Sequence, residues 1–102
     1  MVEAFISSHY NEPINIPQLC EICHLSASQL RRKYKDKFGV TPISYLHSLR
    51  CNIASQLLIH TTLSINEIAQ KIGYPDFSVF YKHFYSFFNC APSHYRKKYE
   101  KI

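Results

Sequence analysis

Apolar residues along this chain recur at three- and four-residue spacings, and strict alternation of apolar and polar positions is nearly absent. A period of about 3.6 residues is the mark of amphipathic helices packed on a core. Ile16, Leu19, Cys20 and Cys23 stand at i, i+3, i+4 and i+7, and Ile65, Ile68, Ala69 and Ile72 repeat that spacing 49 residues later. Downstream, Leu30, Tyr34 and Phe38 match Phe80, Phe84 and Phe88 at an offset of 50, as Pro42 and Tyr45 match Pro92 and Tyr95. The pattern therefore occurs twice, with one residue inserted at the turn between the paired helices. Each half is predicted to be a short helix, a tight turn and a longer helix with an aromatic-rich buried side, so the fold class is all-α.

Capping residues support these boundaries. Asn15 precedes the helix starting at Ile16, with Gln18 three residues on; Ser26 with Gln29 and Ser64 with Glu67 give the same signature. A short polar side chain there accepts from the orphan N–H groups of the first turn. Thr41 before Pro42 marks a long helix from Pro42 to about Ile59, with Leu46, Leu49, Ile53 and Leu57 as its apolar side. At 1.5 Å per residue it is about 27 Å long and is expected to act as a strut between two lobes. The expected division is 1–41 for the first lobe, 42–59 for the linking helix and 60–102 for the second lobe.

Composition narrows the picture. The chain has 102 residues, 46% of them hydrophobic, enough for one small unit with a core. No apolar run approaches the roughly 18 residues that span a bilayer, and no basic segment followed by an apolar stretch opens the chain. A cytoplasmic protein with no membrane partner is expected. Its four cysteines, Cys20, Cys23, Cys51 and Cys90, are read as reduced thiols.

The sequence Cys20-Glu21-Ile22-Cys23-His24 has the C-x-x-C-H spacing of covalent haem attachment. The repeat argues otherwise, since it places Cys20 where Ala69 stands and Cys23 where Ile72 stands, both core positions, and His24 where Gly73 forms the turn. No second C-x-x-C completes a zinc site. The six histidines show no ligand spacing, and neither a glycine-rich phosphate loop nor paired carboxylates appear. Neither a metal, a cofactor nor an enzyme activity is expected.

Formal net charge is +5, and the excess is concentrated. Arg31, Arg32, Lys33, Lys35 and Lys37 form one cluster, and Arg96, Lys97, Lys98 and Lys101 form another. Solvated helix faces and polyanion footprints both produce such clusters. If Ala27, Leu30, Tyr34 and Phe38 face inward, Ser28, Arg31, Arg32 and Lys35 share the outward face. The same operation on the second half leaves Ser78, Tyr81, Lys82 and Tyr85 outward. A short helix, a turn and a longer helix is the helix-turn-helix arrangement, whose second helix enters the DNA major groove. Arg31 and Arg32 carry the forked donors that fit guanine O6 and N7, and Ser28 and Ser78 let the backbone approach. Tyr81 can donate its hydroxyl or pack on a thymine methyl, and Lys82 can reach guanine or a phosphate. Lys33, Lys35, Lys37, Arg96 and Lys97 suit phosphate neutralisation.

The stretches LCEICHLSASQLRRKYKDKFG, RCNIASQLL, LSINEIAQKIGYPDFSVFYKHF and APSHYRK resemble the DNA-binding domain of the AraC/XylS family of transcriptional regulators, over nearly the whole chain. Arg50, Ala54, Leu57 and Leu58, then Ile65, Glu67, Ile68, Ala69, Gly73 and Tyr74, then Pro92 and Arg96 carry the resemblance. It implies about seven helices in two homeodomain-like, three-helical helix-turn-helix lobes joined by the long helix, each lobe placing one helix in successive major-groove segments of double-stranded DNA. It places base contacts at Ser28, Arg31 and Arg32 in the first lobe and at Phe77, Ser78, Tyr81 and Lys82 in the second. It also implies RNA polymerase as a partner of the full-length regulator, and a sensing or dimerisation domain beyond these residues. Departures from the family pattern are Pro75, Phe77, Tyr85 and Asn89, where members commonly carry a small or polar residue, a polar residue, lysine and glycine. Pro75 bears on where the sixth helix starts. Phe77, which has no donor or acceptor, either packs inward or touches a thymine methyl. The rival readings are a helical protein-interaction module and haem or metal binding at Cys20, Cys23 and His24.

Overall fold

A computed structural model describes residues 2–99, and every regular element among them is a helix. In chain order these are α1 (Val2–His9), α2 (Ile16–Cys23), α3 (Ala27–Phe38), α4 (Pro42–His60), α5 (Ile65–Lys71), α6 (Phe77–Phe88) and α7 (Pro92–Lys98). The chain divides inside α4 into two units, residues 1–49 and 50–102, so each half of that helix belongs to a different core. Lys101 of the second basic cluster lies outside the described residues.

The predicted caps are in place. Asn15 Oδ1 accepts from the Gln18 N–H at 2.9 Å. Ser26 with Gln29 and Ser64 with Glu67 form reciprocal capping boxes, each side chain accepting from the other residue's backbone N–H at 3.0–3.2 Å. Thr41 Oγ1 accepts from the Ser44 N–H at 3.2 Å.

The repeat extends to single hydrogen bonds. The Leu25 N–H donates to Cys20 O at 3.3 Å and the Tyr74 N–H to Ala69 O at 2.9 Å, donor and acceptor both 49 residues on. His24 and Gly73 just before them both have positive φ, 59° and 101°. The next caps, Ser26 and Asp76, are 50 apart, so the inserted residue is Pro75. It lengthens the turn and leaves the start of α6 in register with that of α3. At the far ends Gly39 (φ 78°) and Asn89 (φ 58°) each donate a backbone N–H to the carbonyl four residues back, at 2.8 Å. Glycine adopts the left-handed region freely, and asparagine tolerates it.

In the first unit Val2, Ile6, Leu19, Leu30, Tyr34 and Leu46 form the buried cluster. Tyr34, Phe38 and Tyr45 pack there with ring centroids 4.6–6.0 Å apart. Their counterparts in the second unit, Phe84, Phe88 and Tyr95, pack at 4.5–5.4 Å. Ile68, Ala69, Ile72, Phe80 and Phe84 are almost completely buried beside them.

Three packing expectations need correction. Phe38 is 38% exposed, because it sits in the last turn of α3 and offers only one side to Tyr34 and Tyr45. Cys20 and Cys23 are half-buried at the rim of the first core, while Leu19 occupies its centre. In α4, Leu49, Ile53 and Leu57 are half-buried; the buried residues are Pro42, Leu46, Arg50, Cys51, Ala54, Ser55 and Leu58. Cys51, Ala54 and Ser55 thus occupy the buried side of the helix, and the larger Leu49, Ile53 and Leu57 lie at its flanks.

Candidate nucleic-acid interface

Burying Leu30 and Tyr34 turns the opposite face of α3 outward, as its helical period requires. Ser28, Arg31, Arg32, Lys33, Lys35 and Lys37 are all exposed. Lys37 differs from the rest of the cluster, for its ammonium lies 3.6 Å from Glu3 of α1 and 5.2 Å from the Phe38 ring centroid. Exposed pairs of this kind contribute under about 1 kcal/mol, so Lys37 can exchange Glu3 for another anion. Arg31 and Arg32 project from consecutive positions near the middle of α3, with lysines toward its C-terminal end.

The corresponding face of α6 has another character. Asp76 caps its start by accepting from the Val79 N–H at 3.0 Å, and Phe80 and Phe84 are fully buried. Phe77, Ser78, Tyr81, Lys82 and Tyr85 are exposed. Phe77 therefore points outward, at 41% exposure. Its ring meets Tyr81 edge-on at 5.7 Å, and Tyr81 stacks on Tyr85 at 5.9 Å.

The second basic cluster is split by the structure. Lys97 is exposed on α7, whereas Arg96 is half-buried and donates from Nε to Leu58 O at 3.0 Å and from a terminal guanidinium nitrogen to Thr61 O at 3.2 Å. The last carbonyls of a helix have no intrahelical partner. Arg96 satisfies those at the end of α4 and ties α7 to it, so its fork is engaged within the protein and not presented with Lys97.

A cluster with no role assigned from sequence holds the turn before α6. Arg50 is 6% exposed, with its guanidinium carbon 5.0 Å from the Tyr74 ring centroid. Tyr74 stacks nearly parallel on His83 at 5.3 Å and on Phe80 at 6.0 Å. Its hydroxyl lies 3.9 Å from Cys51 Sγ. Burial pushes the Cys51 thiol up to about 11, so it is neutral and unreactive at physiological pH. Burial also lowers the Arg50 guanidinium and raises the Tyr74 hydroxyl. Burial first, then the charges of Lys82 and Arg50, lower the His83 imidazole. A buried arginine needs an aromatic or anionic partner, and the face of Tyr74 supplies one.

At the C-x-x-C-H stretch, the Cys23 thiol lies 3.9 Å from Cys20 O, and the His24 backbone N–H also points to that carbonyl. His24 is the exposed, left-handed cap of α2. Among the described residues no three His, Cys, Asp or Glu side chains are grouped to hold a metal ion, and no helix is long and apolar enough to cross a membrane.

A profile of the helix-turn-helix domain family matches residues 19–98. The xylose operon regulatory protein of Escherichia coli K12 is 36% identical over 92 residues, which are 90% of this chain and 24% of that protein. The C-terminal domain of AraT, a response regulator from Geobacillus stearothermophilus, superposes with a TM-score of 0.92 at 26% identity, covering 99% of this chain and 84% of that one. The chain belongs to the AraC/XylS-type helix-turn-helix family.

Family members are DNA-binding transcriptional regulators. The DNA-binding domain of AdpA, solved in complex with a target DNA, has the same fold, with a TM-score of 0.90 at 24% identity over 96% of this chain and 88% of that one. This chain spans about a quarter of the xylose operon regulatory protein and 33% of the lactose operon transcription activator of Staphylococcus xylosus, to which it is 35% identical. Within the family frame α3 and α6 are the second helices of the two helix-turn-helix units.

Proposed function

We propose that this domain binds double-stranded DNA sequence-specifically, with α3 and α6 in successive major-groove segments about 34 Å apart, and thereby regulates transcription in the cytoplasm. The observation that carries the reading is the outward face of α3, where Ser28, Arg31, Arg32 and Lys35 are exposed together on the second helix of a helix-turn-helix. Ser28, Arg31 and Arg32 read bases in the first half-site; Phe77, Ser78, Tyr81 and Lys82 do so in the second. Lys33, Lys35, Lys37 and Lys97 neutralise phosphates, and Arg96 does so only with guanidinium hydrogens not engaged by Leu58 and Thr61. RNA polymerase is the further partner through which a bound regulator acts on a promoter.

The test is selection of bound duplexes from a random DNA pool, followed by affinity measurements across salt concentrations. A recurring sequence with two half-sites about one helical turn apart, and a steep fall of affinity with salt, is the expected result. Recovery of no recurring sequence would overturn the reading and leave a helical protein-interaction module as its successor.

A further inference from the structure

We infer that the exposed ladder Phe77–Tyr81–Tyr85 on α6 is a thymine-methyl reader, so the second half-site is recognised chiefly through the methyl groups of consecutive thymines. The inference rests on the reading of α6 as a recognition helix and specifies what that helix recognises.

The three rings are spaced by four residues, share one face of α6 and touch in sequence, at centroid distances of 5.7 and 5.9 Å. Each remains substantially open, at 41%, 38% and 48% exposure. From Phe77 to Tyr85 the helix rises about 12 Å, long enough to meet roughly three consecutive base pairs. The repeat identifies the surface to which the ladder belongs. Tyr81 and Tyr85 stand 50 residues after Arg31 and Lys35, on helices whose caps and buried sides coincide at that offset. The two tyrosines thus occupy the register that the first unit fills with cations, and Phe77 stands where it has Ala27. Exposed Ser78 and Lys82 lie beside them, so a polyanion can still approach.

The chemistry of the rings then selects the base. In the major groove guanine presents two acceptors, adenine an acceptor and a donor, and cytosine a donor; thymine alone adds an apolar group, its C5 methyl. A ring pressed on guanine strips water from O6 and N7 and offers no N–H in return. Against thymine the same ring buries a methyl, and a tyrosine hydroxyl can still donate to O4 or a phosphate oxygen.

The experiment replaces each thymine of the selected duplex, one at a time, with deoxyuridine, which differs only by the missing methyl. Affinity is read by fluorescence anisotropy at fixed salt. Two or more neighbouring thymines should each lose about fourfold in affinity. Those losses should disappear in Phe77→Ser or Tyr81→Ser, whose exposed positions leave the core intact, and persist in Arg31→Ala. Tyr81→Arg should change the preferred base beneath it from thymine to guanine when the pool selection is repeated. Tight binding that is indifferent to every deoxyuridine overturns the inference while leaving DNA recognition intact. Methyl sensitivity that survives the serine variants overturns it as well, because other residues then read the methyls. A wild-type dimer in sedimentation that Tyr81→Ser converts to monomer also overturns it, by assigning the ladder to self-association. Selection of no recurring sequence removes both this inference and the DNA-binding proposal.

Discussion

In the first unit α3 turns Arg31 and Lys35 outward; 50 residues on, α6 turns Tyr81 and Tyr85 outward. Beneath those faces the two helices rest on equivalent supports: Leu30 and Phe80, Tyr34 and Phe84, Tyr45 and Tyr95, with left-handed caps at Gly39 and Asn89. Buried positions are constrained by packing volume and by the need to satisfy backbone groups, so they keep their kind through the repeat. Outward positions carry no such constraint and can take different chemistry on the same skeleton. On the proposed reading, function in this domain is carried by surface residues on a duplicated frame.

The largest effect should come from the frame itself. Phe80→Ala should cost about 3–5 kcal/mol and Leu30→Ala about 2–5 kcal/mol in urea unfolding. A loss below about 1 kcal/mol at either position would break the claim that the two cores are equivalent. Next come the faces. Arg31→Ala should cost about 1–3 kcal/mol of discrimination at one base pair, while Lys35→Ala should weaken all sequences alike and lower the salt slope by about one. Competition binding against single-base variants checks this, and identical profiles for the two substitutions would erase the division between base reader and phosphate contact.

Smaller effects sharpen the comparison at single atoms. A Cβ on Gly39 would meet nothing within 4 Å, so Gly39→Ala should cost only its left-handed strain, about 1–2 kcal/mol. Asn89→Gly should be neutral or slightly stabilising in the same urea unfolding, and a clear loss there would show that Asn89 does more than terminate α6. Tyr34 Oη is buried and has no hydrogen-bond partner among the described residues, and burial raises its pKa. Its counterpart is Phe84, so Tyr34→Phe should stabilise the first unit by about 1 kcal/mol; destabilisation would reveal a partner for the hydroxyl.

The smallest expected effect distinguishes the units by pH. His83, half-buried against Tyr74, stands where the first unit has exposed Lys33. Its folded-state pKa lies below the usual 6.5, so the unfolded chain takes up this proton more readily. Stability is therefore full above about pH 6.5 and declines as pH falls toward the folded value. His83→Gln should flatten that acid limb between pH 7 and pH 5 in denaturant midpoints; an unchanged limb would assign it to another group.

Much of this was legible because it is local. The helical period and the caps at Asn15, Ser26, Thr41 and Ser64 depend on residues within four positions of one another, local hydrogen bonding enforces the caps, and the duplication at offsets of 49 and 50 is visible because each copy carries the same local pattern. The outward set on α3 follows from the same period. Helix α1 carries only one short stripe, Val2, Phe5 and Ile6 at i, i+3 and i+4, too brief to set its bounds from the sequence.

What tertiary structure decided is which of several plausible faces is buried and which polar groups are engaged. In α4 the buried side carries Cys51, Ala54 and Ser55, while the larger Leu49 and Leu57 are only half-buried. Arg96 belongs to a carbonyl 38 residues away in sequence, and Arg50 to the ring of Tyr74. Such pairings depend on where distant segments of the chain meet, and a buried cation takes whichever partner removes the cost of leaving water.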